Sequence, residues 1–297
     1  MSYQDIKGDQ VLLITPFTDT GDIDEKSLAN HIEFVVAGGV HGIIGLGSTG
    51  EFFLMDAKER VQVMKLITQY VNGRVPVTFG VGDSSTRIAK NLAQNAEVIG
   101  ADCIMLQAPY YFQHSTEAIL KHFLLVAQAI NIPVMIYDGG GGIEISIEQL
   151  SYLHHKAANI SCVKTIIPSP TKISKAVTSL PDVKIFCGDE HTLLLALHHG
   201  VAGSSIGAGN IQPGVTSSIY NYFVEGNIEE ARRLNNEKLL PATNIVATSK
   251  TEYIRCFKEV LVAKGIIKSS FTREPLLPLD RIRQEELIAV MKHLGVL

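Results

Sequence analysis

The sequence predicts an α/β fold, a closed (β/α)8 TIM barrel with a C-terminal helical extension. Three observations point to it. Short apolar runs alternate with longer amphipathic ones, the short runs number eight, and unusual polar residues gather where those runs end. The 297 residues are 46% hydrophobic and only 19% charged, which is enough for one large core, and α/β barrels reach this length as single domains.

The strand-like runs fall at 11–16, 42–46, 75–80, 103–108, 133–137, 162–166, 183–187 and 202–206. Helical patterns at 25–37, 57–71, 86–99, 115–130, 147–155 and 171–179 lie between them, so nearly every strand is followed by a crossover helix. After a further pattern at 212–224, helical periodicity continues through 228–248, 252–264 and 283–294 with no strand signal. The expected organisation is a barrel over 1–225 and a helical extension over 226–297 packed on it. Glycine and proline mark the strand ends rather than a linker, so no second independent domain is expected.

A formal net charge of −4, with no basic run beyond isolated pairs such as Arg232-Arg233, leaves no electrostatic footprint for nucleic acid. The N-terminal residues lack a basic stretch followed by an apolar one, and no apolar run has the length of a membrane span, so a soluble, cytoplasmic protein is expected. Cys103, Cys162, Cys187 and Cys256 are far apart, and three of them sit inside apolar runs, which fits reduced core residues rather than metal ligands. The pairs His154-His155 and His198-His199 fall on helical patterns away from the strand ends and read as surface or packing residues.

The residue that stands out is Lys164, in the run Ile160-Ser161-Cys162-Val163-Lys164-Thr165-Ile166-Ile167. Its neighbours favour burial, burial disfavours the charged amine, and a neutral amine in a dry pocket attacks carbonyls to form a Schiff base. The competing explanation is a strand-end lysine whose stem is buried and whose head reaches water or an acid.

In a barrel, Lys164 would point inward from strand six, and the other strand ends supply company for it. Strand two ends in Gly45-Leu46-Gly47-Ser48-Thr49-Gly50-Glu51, a turn whose backbone N–H groups and hydroxyls suit a carboxylate or phosphate, or simply cap the next helix. Strand four ends in Pro109-Tyr110-Tyr111-Phe112 and strand five in Tyr137-Asp138 before four glycines, Gly139 to Gly142. Strand seven ends in Gly188-Asp189-Glu190, and strand eight in Ile206-Gly207-Ala208-Gly209-Asn210. These two acids stand at the same rim, and Asp189 or Glu190 could simply cap the helix beginning near His191.

With Gly47-Ser48-Thr49-Gly50-Glu51, Pro109-Tyr110-Tyr111, the Tyr137 strand and Lys164 in order, the chain resembles the dihydrodipicolinate synthase and N-acetylneuraminate lyase family from about Val11 through Leu279. The resemblance implies that Lys164 forms an imine with pyruvate or a related 2-oxo acid. It further implies that Ser48 and Thr49 hold the pyruvyl carboxylate, that Tyr137 relays protons, and that Tyr111 reaches into a neighbouring subunit's site. Tyr110 is expected to be structural. Gly47, Asp189, Glu190, Ser205 and Ile206 complete the expected substrate-binding set. No metal or organic cofactor is expected, and a homodimer or homotetramer follows from the role of Tyr111.

One departure is informative. Synthases of the family typically continue after the tyrosine as Asn-x-Pro-x-Arg-Thr-Gly, with the arginine clamping the second substrate's carboxylate. Here the arginine's place falls on Gly142, and the four glycines are expected to leave the loop mobile. The expected activity is therefore a Schiff-base lyase cleaving a 2-oxo sugar acid, or a similar 4-hydroxy-2-oxo acid, to pyruvate and an aldehyde. The alternatives are dihydrodipicolinate synthesis, a dehydratase or deaminase using the same imine, or a non-catalytic 2-oxo acid binding protein.

Overall fold

The computed structural model describes residues 6–166, 169–247 and 252–297. Among these, eight parallel strands close into a barrel in chain order. They are β1 (Gly8–Leu12), β2 (Gly42–Gly45), β3 (Val77–Gly80), β4 (Cys103–Gln107), β5 (Val134–Asp138), β6 (Ile160–Thr165), β7 (Lys184–Cys187) and β8 (Gly203–Ser204). The helices that follow them in turn are α1 (Glu25–Ala37), α2 (Ala57–Val71), α3 (Thr86–Ile99), α4 (Thr116–Ala127), α5 (Ile147–Lys156), α6 (Pro170–Ser179), α7 (Leu193–His198) and α8 (Pro213–Val224). Helices start where the sequence supplies caps: Asp24 accepts from the Ser27 N–H, and Asp56 with Glu59 and Ser146 with Gln149 form capping boxes.

Alternation along the strands sorts the core into two layers. Leu12, Ile44, Cys103, Met105, Met135, Cys162 and Phe186 fill the barrel's centre. Residues of opposite parity, such as Val11, Ile43, Ile104, Ile136, Val163 and Ile185, pack beneath the helices. Lys164 and Tyr137 have the parity of the inner set, and they face each other across β5 and β6 in register. Cys187 and Cys256 are buried in the outer and C-terminal clusters, so all four cysteines are core residues.

Strand one begins three residues earlier than the apolar run implies, because Asp9 and Gln10 are polar yet buried. Asp9 is partly paired there: the Ser204 hydroxyl donates to its Oδ1 at 2.8 Å, and its N–H donates to His41 Nδ1 at 3.2 Å. Strand eight is shorter than expected, pairing only over Gly203–Ser204. Ile167, the last residue of the run around Lys164, and Thr248, the end of the expected 228–248 helix, lie outside the described residues.

The continuous helix expected over 228–248 is instead α9 (Ile228–Leu234), a wide π turn (Asn235–Leu239) and α10 (Leu240–Val246). Pro241 has no N–H to give the preceding turn, and the chain widens so that the Leu240 N–H reaches Asn235 O. Two further helices follow, α11 (Glu252–Ala263) and α12 (Arg281–His293). Their apolar cluster, including Val246, Phe257, Leu261, Leu287 and Met291, takes in Ile14 and Ile211 from the barrel's strand ends. Among the described residues no helix is long and apolar enough to cross a membrane.

The extension is also tied to the barrel by charge. Lys258 on α11 and Glu51 after β2 are both 0% exposed and pair at 2.5 Å. Lys258 also donates to Phe271 O at 2.8 Å, and the Arg273 N–H donates to the second Glu51 oxygen at 3.0 Å. Removing one member of such a pair strands the other charge in the interior, a loss of about 3–5 kcal/mol. Lys258→Met is therefore expected to lower the unfolding free energy by that amount in urea titration, and a loss under about 1 kcal/mol would show the pair to be dispensable.

Candidate active site

Lys164 is 3% exposed, with its Nζ 4.2 Å from the centre of the Tyr137 ring. It reaches this position because β7 exits through a glycine. A Cβ on Gly188 would meet Lys164 Cε at 2.8 Å and Ile166 Cγ2 at 2.6 Å. Burial pushes the Lys164 amine down to about 8, against the opposing influence of the Glu190 carboxylate. Burial likewise raises the Tyr137 phenol well above the usual range, with the Tyr253 phenol adding to the shift. At neutral pH the pair is thus an amine with an accessible neutral form beside a phenol that keeps its proton.

The two face a cavity of about 210 Å³ at the C-terminal end of the strands. At ~30 Å³ per water, the space corresponds to roughly seven waters, and so to a small substrate. Its polar wall includes Ser48, Thr49, Tyr137, Lys164, Glu190 and Tyr253, and its apolar wall includes Leu12, Ile166, Ile211, Val246 and Phe257. Ser48 and Thr49 lie in a tight turn (Ser48–Gly50) that ends in a left-handed Glu51, φ 59°. The Glu51 carboxylate anchors that turn through the buried pair with Lys258.

The two acids after Gly188 are placed differently. Asp189 is a cap, accepting from the His191 N–H at 3.2 Å and the Thr192 hydroxyl at 3.1 Å. Glu190 lines the cavity, and one of its oxygens takes the N–H groups of Gly207 and Ala208 at 3.1 and 3.2 Å. Burial raises its carboxyl, and those N–H groups pull it back down.

The glycine loop after Tyr137 forms a hydrogen-bonded turn. Gly139 N–H donates to Ile143 O at 2.9 Å and Gly142 N–H to Gly139 O at 3.0 Å, with Gly139, Gly141 and Gly142 all at positive φ. Asp138, fully buried, holds the loop's two ends: it accepts from the Ile145 N–H at 2.7 Å and the Thr165 hydroxyl at 2.9 Å, and it pairs with Lys172 at 2.7 Å. Lys172 in turn pairs with Glu144 at 2.9 Å. Asp138 and Thr165 directly follow Tyr137 and Lys164, so this link sets the spacing of the two candidate catalytic strands.

Other expected site residues are placed elsewhere. Gly47 starts the Ser48–Gly50 turn, Ser205 is buried with its N–H on Cys187 O at 2.7 Å, and Ile206 packs in the outer core. None of the three is among the residues lining the cavity. Tyr111 is 77% exposed with its ring on Phe112 at 4.7 Å, and Tyr110 packs edge-on near Phe52. The His154 Nδ1–H donates to Ile160 O, and His198 packs on Phe223. Among the described residues no group of His, Cys, Asp or Glu is arranged to hold a metal ion.

Thr243, Tyr253 and Phe257 were not legible as site residues, although all three line the cavity from α10 and α11. The available signal was Lys258, a charged residue between Ile254 and Leu261 on an apolar helix face, which implies a buried partner near the barrel mouth.

Comparison with known proteins agrees with this architecture. The model of the Dihydrodipicolinate synthetase family matches residues 5–294. The 4-hydroxy-tetrahydrodipicolinate synthase of Geotalea daltonii is 32% identical over 293 residues, covering 97% of this chain and 98% of that one. The enzyme of the same name from Bartonella quintana is 32% identical over 98% of this chain and 99% of its own. Among solved structures, YagE of E. coli K12, described as a prophage protein of the dihydrodipicolinic acid synthase family in complex with pyruvate, superposes with a TM-score of 0.94 at 27% identity, covering 98% and 99% of the two chains. Dihydrodipicolinate synthase from Aquifex aeolicus gives 0.93 at 27% identity, with coverage of 98% and 99%.

An amine held near 8 loses its proton over a range set by its own pKa. Reductive methylation of Lys164 with formaldehyde and cyanoborohydride, followed site by site by mass spectrometry, is expected to accelerate roughly tenfold per pH unit below its midpoint and to level off above it. A midpoint at the ordinary lysine value of about 10.4 would contradict the desolvated site.

Proposed function

The chain belongs to the dihydrodipicolinate synthetase family, and on that premise we propose that it is a cytoplasmic, homo-oligomeric Schiff-base lyase that cleaves a 2-oxo sugar acid, or a similar 4-hydroxy-2-oxo acid, to pyruvate and an aldehyde. Enzymes of this family are class I, pyruvate-dependent aldolases and lyases, and the chain is one of them. The observation that carries the finer reading is the polar content of the Lys164 cavity: hydroxyls at Ser48 and Thr49, a phenol at Tyr137, and the Glu190 carboxylate.

In this reading the Lys164 amine adds to C2 of the substrate while Ser48 and Thr49 receive its carboxylate. Loss of water leaves an iminium, which draws the electrons of the breaking C3–C4 bond into an enamine. Tyr137, against the amine, donates the proton that water needs and takes up the proton of the 4-hydroxyl as the aldehyde departs. Protonation of C3 and hydrolysis release pyruvate and restore Lys164. The imine itself is the electron sink, so the chemistry needs no metal or organic cofactor.

Glu190 favours a hydroxyl-bearing aldehyde portion over an anionic one, because a carboxylate accepts from hydroxyls and repels a second carboxylate. The competing reading, condensation of pyruvate with aspartate semialdehyde, is favoured by the names of the curated relatives. Against it stands Gly142, where synthases of the family carry an arginine. A side chain there would meet nothing within 4 Å, but the residue sits at φ +79°. The exposed ring pair Tyr111 and Phe112 suits contact with a second copy of the chain.

Pyruvate release from a panel of 2-oxo-3-deoxy sugar acids, set beside condensation with aspartate semialdehyde, tests the substrate class. The expected kcat/KM is at least about 10-fold higher for a sugar acid, and a preference for the semialdehyde would reverse the assignment. Lys164→Ala is expected to abolish turnover, and Tyr137→Phe to lower kcat by about 100-fold while an adduct still forms. An unchanged kcat in the second variant would remove Tyr137 from the mechanism.

A further inference from the structure

The outer wall of the Lys164 cavity holds a hydroxyl that the fold leaves unused. Thr243, on α10, lines the cavity and is 7% exposed, and among the described residues its hydroxyl has no hydrogen-bond partner. A helical threonine can bond its hydroxyl to the carbonyl one turn back, and a buried hydroxyl without any bond is costly. The chain before it accounts for the placement. The wide turn over Asn235–Leu239 takes up one residue more than a regular turn, so it rotates the helix after it by about 100°. Ala242, Thr243 and Val246 thereby line the cavity, and Asn244 is exposed.

The same helix is docked beside Glu190. Asn244 Oδ1 meets His191 Nε2 at 2.9 Å, a bond between the residue after Thr243 and the residue after Glu190. It ties the two elements together where both Thr243 and Glu190 line the cavity. The two side chains offer different chemistry: a carboxylate only accepts, while a threonine hydroxyl both donates and accepts. A threonine in a helix also divides between two χ1 rotamers, which exchange hydroxyl and methyl about Cβ. The Thr243 hydroxyl therefore turns to an incoming group without backbone movement. An acid that accepts and a hydroxyl that does both fit the hydroxyls of a neutral chain, whereas an anion beside Glu190 is repelled.

We propose that Thr243 is a specificity-determining residue that hydrogen-bonds a substrate hydroxyl beyond C4, on the portion that departs as the aldehyde. The proposal rests on the lyase reading above and narrows it, because it requires the aldehyde to carry a hydroxyl of its own. Thr243 takes no part in imine formation or in holding the pyruvyl carboxylate, so those steps run without it.

The test runs the reaction in the condensing direction, with pyruvate fixed and the aldehyde varied between DL-glyceraldehyde and propanal, its analogue of equal carbon number without hydroxyls. Comparing each variant with wild type, aldehyde by aldehyde, cancels their unequal intrinsic reactivity. Thr243→Val puts a methyl in place of the hydroxyl. It is expected to lower kcat/KM for glyceraldehyde by about 10-fold and to change that for propanal by less than about twofold, while Thr243→Ser keeps glyceraldehyde within about threefold of wild type. Exchange of the pyruvate methyl protons in D2O without aldehyde, read by proton NMR, is expected to match wild type in both variants. Unchanged condensation of glyceraldehyde in Thr243→Val would overturn the proposal, as would a serine variant impaired as much as the valine one. Equal losses with both aldehydes, or a loss of pyruvate exchange, would overturn it by assigning Thr243 to cavity shape. Wild-type protein that exchanges pyruvate protons but condenses neither aldehyde would instead remove the lyase reading on which the proposal stands.

Discussion

Taking the Lys164 amine out of water is the constraint on which the rest of the site depends. A buried ammonium is costly, so the amine sheds its proton more readily than a surface lysine, and the barrel is built to keep it there. Cys162 and Phe186 fill the centre beneath it, and Gly188 leaves room for its stem. Glu190, the acid nearest in effect, has an oxygen engaged by the N–H groups of Gly207 and Ala208. The polar groups that remain, hydroxyls and phenols, are ones that handle protons and carboxylates without carrying charge of their own.

A second lysine shows why depth alone does not mark a catalyst. Burial pushes the Lys258 amine down to about 8 as well, yet Lys258 donates to Glu51 at 2.5 Å and to Phe271 O at 2.8 Å, which commits it to structure. Lys164 opens instead onto a cavity. The two lysines are nonetheless connected: the Lys258–Glu51 pair positions both the Ser48–Gly50 turn and the helix bearing Tyr253, so the C-terminal extension forms the outer wall of the site. The part of the substrate away from the imine would meet Thr243, Val246 and Phe257, side chains from beyond the eighth strand.

The barrel was legible because each apolar run is local and its period survives the tertiary structure. The strand ends were legible for the same reason, and they led to Lys164, Tyr137, Ser48, Thr49 and Glu190, all of which line one cavity. What escaped was set by contacts distant in sequence. Asp9 and Gln10 looked too polar for a strand because the Ser204 hydroxyl that donates to Asp9 lies nearly two hundred residues on. The expected helix over 252–264 gave no sign that Lys258 pairs with Glu51, about two hundred residues earlier, and Tyr253 and Phe257 were hidden with it. The anchoring around the glycine run was hidden because a sequence does not show Asp138 bonding across to Ile145, Thr165 and Lys172.

The central claim is that burial and position together make Lys164 the nucleophile of this enzyme. Borohydride reduction in the presence of pyruvate, followed by peptide mass spectrometry, tests it most directly. The account predicts one reduced pyruvyl adduct, on Lys164, with Lys258 unmodified despite its similarly depressed amine. An adduct on another lysine, or none on the folded protein, would contradict it.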